Sequence, residues 1–170
     1  MIPDNLIANF SCDEEKFSPY KKNNWNINGK GKIFTKGELE NLKINLNFNN
    51  TVGCKLFLGK NVVGNLKIKF KNNHSTIWIG NSAKLGNLEI RSFQKEDLIA
   101  IGNFTSVSYS CTFISGNNAG SANPSIIIGD DCMFSNDIVI RNTDAHPIID
   151  RSHKKQINQP HGSVIIAVSY

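Results

Sequence analysis

The chain has 170 residues, of which 39% are hydrophobic and 19% charged, which is enough apolar material for one domain with a buried core. Its net charge of +5 comes from lysines spread along the chain without interleaved aromatic residues, so a nucleic-acid partner is not favoured. No apolar run reaches the length of a membrane span, and residues 1–20 lack the apolar region of a signal peptide. We therefore expect a cytoplasmic protein without a membrane span.

The first 26 residues show no clear period. Leu6, Ile7 and Phe10 could form one apolar face of a short helix. A repeat protein needs a cover for its first repeat, so residues 1–26 are interpreted as an irregular N-terminal cap.

From Ile33 onward an aliphatic residue followed by glycine recurs, at intervals of 21, 22 and 27 residues: Leu58-Gly59, Ile79-Gly80, Ile101-Gly102 and Ile128-Gly129. A small or modest side chain stands four residues after each aliphatic residue: Val62, Ala83, Thr105 and Cys132. Each unit also carries short strand signals before and after the glycine, three strands in all. Such a unit cannot bury its apolar face alone, so the repeat predicts a solenoid of stacked parallel strands.

Polar insertions separate the repeats and are expected to bulge outward as loops, among them Gln94-Lys95-Glu96 and residues 116–123. A β-sandwich with regular turns is the alternative fold. The aliphatic-glycine pairs argue against it, because a sandwich needs no repeated corner.

The pattern of Leu or Ile, Gly, two variable residues and a small residue is the hexapeptide repeat. It resembles the left-handed parallel β-helix of the hexapeptide-repeat acyltransferases, and the left hand comes only from that resemblance. Ile128–Met133 and Ile140–Ile148, with the motif Asp144-Ala145-His146-Pro147, are most similar to bacterial polysaccharide and sialic-acid polymer O-acetyltransferases, which are related to maltose and galactoside acetyltransferases. The fold class expected is thus all-β, with a β-helix over residues 27–170 and an extended loop over residues 141–162.

The resemblance implies a homotrimer that transfers an acetyl group from acetyl-CoA to a hydroxyl of a sugar or surface polysaccharide, as in capsule biosynthesis. The family's catalytic histidine falls on His146, which would act as general base. Asp144 would orient the imidazole ring or raise its basicity. Arg141, Asn142 and Tyr109 are candidates for contact with the acceptor, and the resemblance implies no metal.

Two departures leave alternatives open. Members of the family continue past Val164-Ile165-Ile166 with Gly and further turns that carry most CoA contacts, whereas this sequence has Ala167 and ends at Tyr170. We therefore expect little turnover from these 170 residues alone, and an inactive scaffold is the second hypothesis. A third is a zinc site of His146, His153 and His161, which resembles carbonic anhydrase-like hexapeptide proteins but would lie within one loop.

Overall fold

The computed structural model describes residues 18–19, 25–116, 125–143, 146, 148–157 and 163–167. Most of the expected N-terminal cap, the insertion at 117–123 and Asp144 lie outside these residues. The described residues form strands and no helix. The strands are β1 (Ser18–Pro19), β2 (Asn26–Asn28), β3 (Lys32–Thr35), β4 (Leu42–Asn47), β5 (Lys55–Leu58), β6 (Val63–Phe70), β7 (Thr76–Ile79), β8 (Lys84–Ser92), β9 (Leu98–Ile101), β10 (Ser106–Val107), β11 (Ser110–Ser115), β12 (Ser125–Ile128), β13 (Met133–Phe134), β14 (Ile138–Arg141), β15 (Ile149–Asp150), β16 (Lys155–Gln156) and β17 (Val164–Ile166).

The chain winds as a parallel β-solenoid of about four turns, which confirms the predicted β-helix. From β1 to β9 successive strands alternate between two sheets, whereas β10 and β11, and later β13 and β14, are consecutive strands of the second sheet. The first sheet has the order β1-β3-β5-β7-β9-β12-β17, and the second has β13-β10-β8-β6-β4-β2, with β11 pairing both β8 and β14. All pairs in these sheets are parallel except β1 with β3. The left-handed winding stays a prediction.

The repeated aliphatic residues form one column in the core, as predicted. Leu58 pairs with Ile79, Ile79 with Ile101 and Ile101 with Ile128 in successive strands of the first sheet. All four side chains have 0% exposure. Burying such a side chain is worth roughly 1.5–3 kcal/mol, so this column is a main source of the stability of the fold.

The glycines of the repeat form a second column, and their role is close approach between turns. A Cβ on Gly80 would lie 2.6 Å from the backbone nitrogen of Asn103 and from the backbone carbon of Gly102. A Cβ on Gly59 would meet the backbone at Gly80 and Asn81 at the same 2.6 Å. Any side chain at these corners would therefore push two turns apart.

The number of strands per turn differs from the prediction. Three separate strands occur only in the later turns, where β10 and β11 both pair with β8. In the earlier turns one long strand, β6 or β8, takes the place of two separate strands. It bends at Gly64 or at Gly86, each of which has a positive φ. Glycine adopts that conformation without strain, so the hydrogen-bonded strand continues through the bend.

The outward face of the first sheet is apolar, which the repeat does not predict. Phe34, Phe57, Trp78, Ala100 and Ile127 form a second buried cluster there, separate from the interior core. The rings of Phe34 and Phe57 stack with their centroids 4.9 Å apart. From β3 to β12 this sheet is thus buried on both faces, which explains why these strands are continuously apolar instead of alternating.

Both ends of the described chain have local features of their own. Trp25 packs in the interior core and donates from its indole nitrogen to the backbone oxygen of Leu42 at 3.0 Å. In the extended loop, β15 and β16 form a short antiparallel hairpin. No helix in the described part of the chain has the length and apolarity needed to cross a membrane.

Candidate functional site

The candidate base His146 is exposed and lies between β14 and the hairpin of β15 and β16. Strand β14 pairs with β11 alone among the described strands, so its other side is an edge of the second sheet. His146 therefore follows the last strand of the second sheet, at a position exposed to solvent. Its predicted partner Asp144 lies outside the described residues.

Two candidate acceptor-binding residues follow each other at the end of β14 but differ in role. Arg141 is exposed and pairs in register with Ile114 of the preceding turn. Asn142 is half-buried, and its side-chain oxygen accepts a hydrogen bond from the backbone nitrogen of Gly116 at 2.9 Å. Only Arg141 therefore has its side chain directed to solvent, while the amide of Asn142 is engaged within the protein.

The amide nitrogen of Asn142 extends this anchoring to two more groups. It donates to the hydroxyl oxygen of Ser115 at 3.1 Å and to the backbone oxygen of Ser125 at 3.4 Å. Two segments of chain, at residues 115–116 and at Ser125, are therefore tied to one side chain, four residues before His146. Contact between Asn142 and the acceptor stays a prediction. The amide would have to bind the acceptor in addition to these groups of the protein.

The same network continues to Asp97, which the sequence did not single out. Its carboxylate is 1% exposed and accepts hydrogen bonds from the hydroxyl of Ser92 at 2.8 Å, the backbone nitrogen of Gln94 at 3.0 Å and the hydroxyl of Ser115 at 3.4 Å. Burial raises the pKa of Asp97 to about 6, although these hydrogen bonds act in the opposite direction. The sign of this residue in the sequence is a single acidic side chain directly before the apolar strand β9.

The insertion before Asp97 corrects one sequence expectation. Gln94 was expected in an outward loop, yet it is 8% exposed, whereas Lys95 and Glu96 are exposed as predicted. The reason is that the backbone nitrogen of Gln94 turns inward to bond the buried carboxylate of Asp97. The insertion therefore projects outward only at its tip.

Tyr109 lies at the corner between β10 and β11, one turn before β14, and its side chain is 63% exposed. In the preceding turn Gly86 occupies the corresponding corner, and a Cβ there would lie 2.8 Å from the backbone oxygen of Tyr109. A ring presented to solvent in this way is free to stack on a sugar. Its contact with an acceptor stays a prediction.

The histidines of the extended loop do not form a metal site within the described residues. His153 Nδ1 lies 2.6 Å from a carboxylate oxygen of Asp150, on the exposed turn between β15 and β16. This hydrogen bond is the main reason that the pKa of Asp150 is lowered to about 2. No group of three His, Cys, Asp or Glu side chains in the described ranges is arranged to hold a metal, and His161 lies outside them.

The described geometry thus provides an exposed histidine four residues after Asn142, whose side chain is anchored by hydrogen bonds. An imidazole in such a position can take a proton from a bound hydroxyl group. The chain matches no protein-family model, no curated protein and no solved structure.

Proposed function

We propose that this protein is a cytoplasmic O-acetyltransferase that moves an acetyl group from acetyl-CoA to a hydroxyl of a sugar or surface polysaccharide. The observation that supports it is the position of His146. His146 is exposed and follows the turn of the β-solenoid that carries the buried residues Ile128 and Ile140. Fold and motif were predicted from separate parts of the sequence, and the solenoid is present.

In the proposed reaction a ring nitrogen of His146 accepts the proton of the acceptor hydroxyl. The hydroxyl oxygen then forms a bond to the thioester carbonyl carbon of acetyl-CoA, and the bond from that carbon to sulfur breaks. The proton passes from the imidazolium to the departing thiolate, so the products are the acetyl ester and CoA. Asp144 orients the imidazole, and Arg141 and Tyr109 contact the acceptor.

The anchoring of the chain before His146 also supports this function. Asn142 is fixed by three hydrogen bonds to neighbouring segments, so the residues that follow start from a defined point. A positioned base contributes more than a mobile one, because orientation of the reactants is part of the rate enhancement. In the proposed assembly three copies form a homotrimer, and donor and acceptor meet in a groove between two copies.

Release of CoA, detected with a thiol reagent in the presence of a panel of sugars and polysaccharides, tests the proposal. The assay is run on this chain and on a chimera in which β17 is continued, in register, by the C-terminal turns of a characterised acetyltransferase. We expect acetyl transfer to a sugar hydroxyl by the chimera. A chimera that binds acetyl-CoA but acetylates no acceptor would support the inactive scaffold instead, and zinc bound to the purified protein would favour the three-histidine alternative.

A further inference from the structure

A groove of about 400 Å³ crosses the outward face of the second sheet and ends at β11, the neighbour of β14. It passes over β4, β6, β8 and β11, a distance of about 14 Å at ~4.8 Å between neighbouring strands. The side chains of Ile44, Leu66 and Leu88 point into the core, so the backbone of these residues forms the floor. Outward side chains on either side form the walls.

One wall is a row of register partners that begins at Lys43 and continues with uncharged polar side chains. Asn65 and Asn87 are register partners in this row, and Nδ2 of Asn65 donates to Oδ1 of Asn87 at 2.9 Å. The oxygen of Asn65 and the amide nitrogen of Asn87 thus remain able to accept and donate toward the exposed groove. Ser110 continues the row on β11.

The other wall is charged and has a positive excess. Its centre is Glu89, whose carboxylate lies 2.9 Å from Nε of Arg91, 3.4 Å from Nζ of Lys67 and 3.6 Å from Nζ of Lys69. The hydrogen bond from Arg91 lowers the pKa of Glu89, so this carboxyl is ionised at neutral pH. Lys67 and Glu89 line the groove, whereas Lys69 and Arg91 lie beside it. Together with Lys43 on the opposite wall, these cations outnumber the one carboxylate and make the groove attractive to anions.

We propose that this groove binds a linear anionic glycan that runs across the strands. A pyranose ring is about as long as the distance between neighbouring strands, so successive sugars would meet successive Asn and Lys side chains. Hydroxyl groups would bond to the amides of Asn65 and Asn87, and carboxylate or sulfate groups would pair with Lys43 and Lys67. His146 does not line the groove, so this binding does not require catalysis.

The composition of the face favours a glycan over a nucleic acid. Single-stranded nucleic acids are held largely by stacking of bases on aromatic side chains. None of the outward residues that the structure describes on β4, β6, β8 and β11 is aromatic. Amide groups beside a modest cationic excess suit a polymer that carries many hydroxyl groups and few charges.

Binding of a hyaluronan oligosaccharide to the full chain, measured by calorimetry, tests the proposal. Maltodextrin of similar length serves as the neutral probe and oligo(dT) as the nucleic-acid probe. We expect hyaluronan to bind, and binding to weaken as NaCl is raised from about 0.05 to 0.5 M, because salt screens exposed charges. The double variant Lys43→Glu, Lys67→Glu should bind about tenfold more weakly or worse, a loss of at least ~1.4 kcal/mol.

A matched control makes the same two charge reversals outside the groove. Lys60→Glu with Lys71→Glu changes two exposed lysines that do not line the groove and should keep most of the affinity. Asn87→Ala, which leaves the charge unchanged, should weaken binding about 2–10-fold. The proposal is overturned if hyaluronan does not bind, if both double variants lose affinity equally, or if maltodextrin or oligo(dT) binds as tightly as hyaluronan.

Discussion

Asn142 donates a hydrogen bond from its amide nitrogen to the hydroxyl oxygen of Ser115, 3.1 Å away on the preceding turn. Because Ser115 in turn bonds the buried carboxylate of Asp97, the start of the loop that holds His146 is connected to the interior of the solenoid. Changes in this network should therefore be felt both in stability and at the candidate site.

The first prediction concerns Asn142. Asn142→Ala removes the acceptor for the backbone nitrogen of Gly116 and should cost about 1–3 kcal/mol of unfolding free energy, since a part-buried donor is left unpaired. Arg141→Ala changes the exposed neighbour and should stay within about 0.5 kcal/mol of the parent. Urea denaturation of both variants makes the comparison. Equal stabilities would show that the network contributes nothing measurable.

The second prediction concerns the glycine corner. Gly80→Ala places a Cβ 2.6 Å from backbone atoms of the next turn, so the turns must separate, at a cost of about 1–3 kcal/mol or more. Gly37→Ala is the control, because its Cβ would lie 3.6 Å from the Cβ of Lys60, an ordinary contact. Thermal unfolding of the two variants gives the result. A Gly80→Ala protein as stable as Gly37→Ala would contradict close approach as the reason for glycine.

The third prediction concerns the aliphatic column. Ile101→Ala leaves a cavity in the core and should destabilise the protein by about 2–5 kcal/mol. Ile101→Asp should prevent folding, because an unpaired charge would be buried. Val139→Ala on β14, where the side chain is 57% exposed, serves as control and should change stability little. Circular dichroism and denaturant titration report the outcome, and tolerance of Ile101→Asp would exclude the column as core.

The fourth prediction concerns pH and Asp97. Its pKa is about 6 in the folded protein, against 3.8 for an ordinary aspartate, so between these pH values the folded state binds more protons than the unfolded state. The contribution of Asp97 to stability is therefore full below about pH 4 and is lost as pH rises to 6, by up to about 3 kcal/mol. Asp97→Asn does not titrate. The difference in unfolding free energy between parent and variant should change across this window and stay level above it.

The fifth prediction concerns the proposed chemistry. In the active chimera, His146→Ala should lower turnover by about 10²–10⁴-fold, because a positioned general base is removed. Affinity for acetyl-CoA should hardly change, since the base acts on the acceptor hydroxyl. His153→Ala is the control, because its ring is bonded to Asp150 on an exposed turn. Full activity in His146→Ala, or an equal loss in His153→Ala, would remove the mechanism.

The sequence by itself determined the solenoid and the contents of its interior. The spacing of Leu58, Ile79, Ile101 and Ile128 was sufficient because parallel turns must stack identical positions, and a periodic sequence has only one register that buries them all. The glycine after each aliphatic residue followed from the same constraint. These features belong to the repeat itself, so they can be predicted without a three-dimensional structure.

Only the tertiary structure decided which polar residues meet. Asp97, Ser115 and Asn142 stand in different turns and carry no common spacing, so nothing in the sequence joined them. The burial of Phe57 and Trp78 on the outward face, and the alignment of Lys67 with Glu89 along one wall of the groove, likewise depend on sheet register. The physical reason is that hydrogen bonds and charge pairs form between side chains that are far apart in sequence and meet only when the chain winds. The hydrophobic repeat, in contrast, is visible within each strand, where inward and outward residues follow one another.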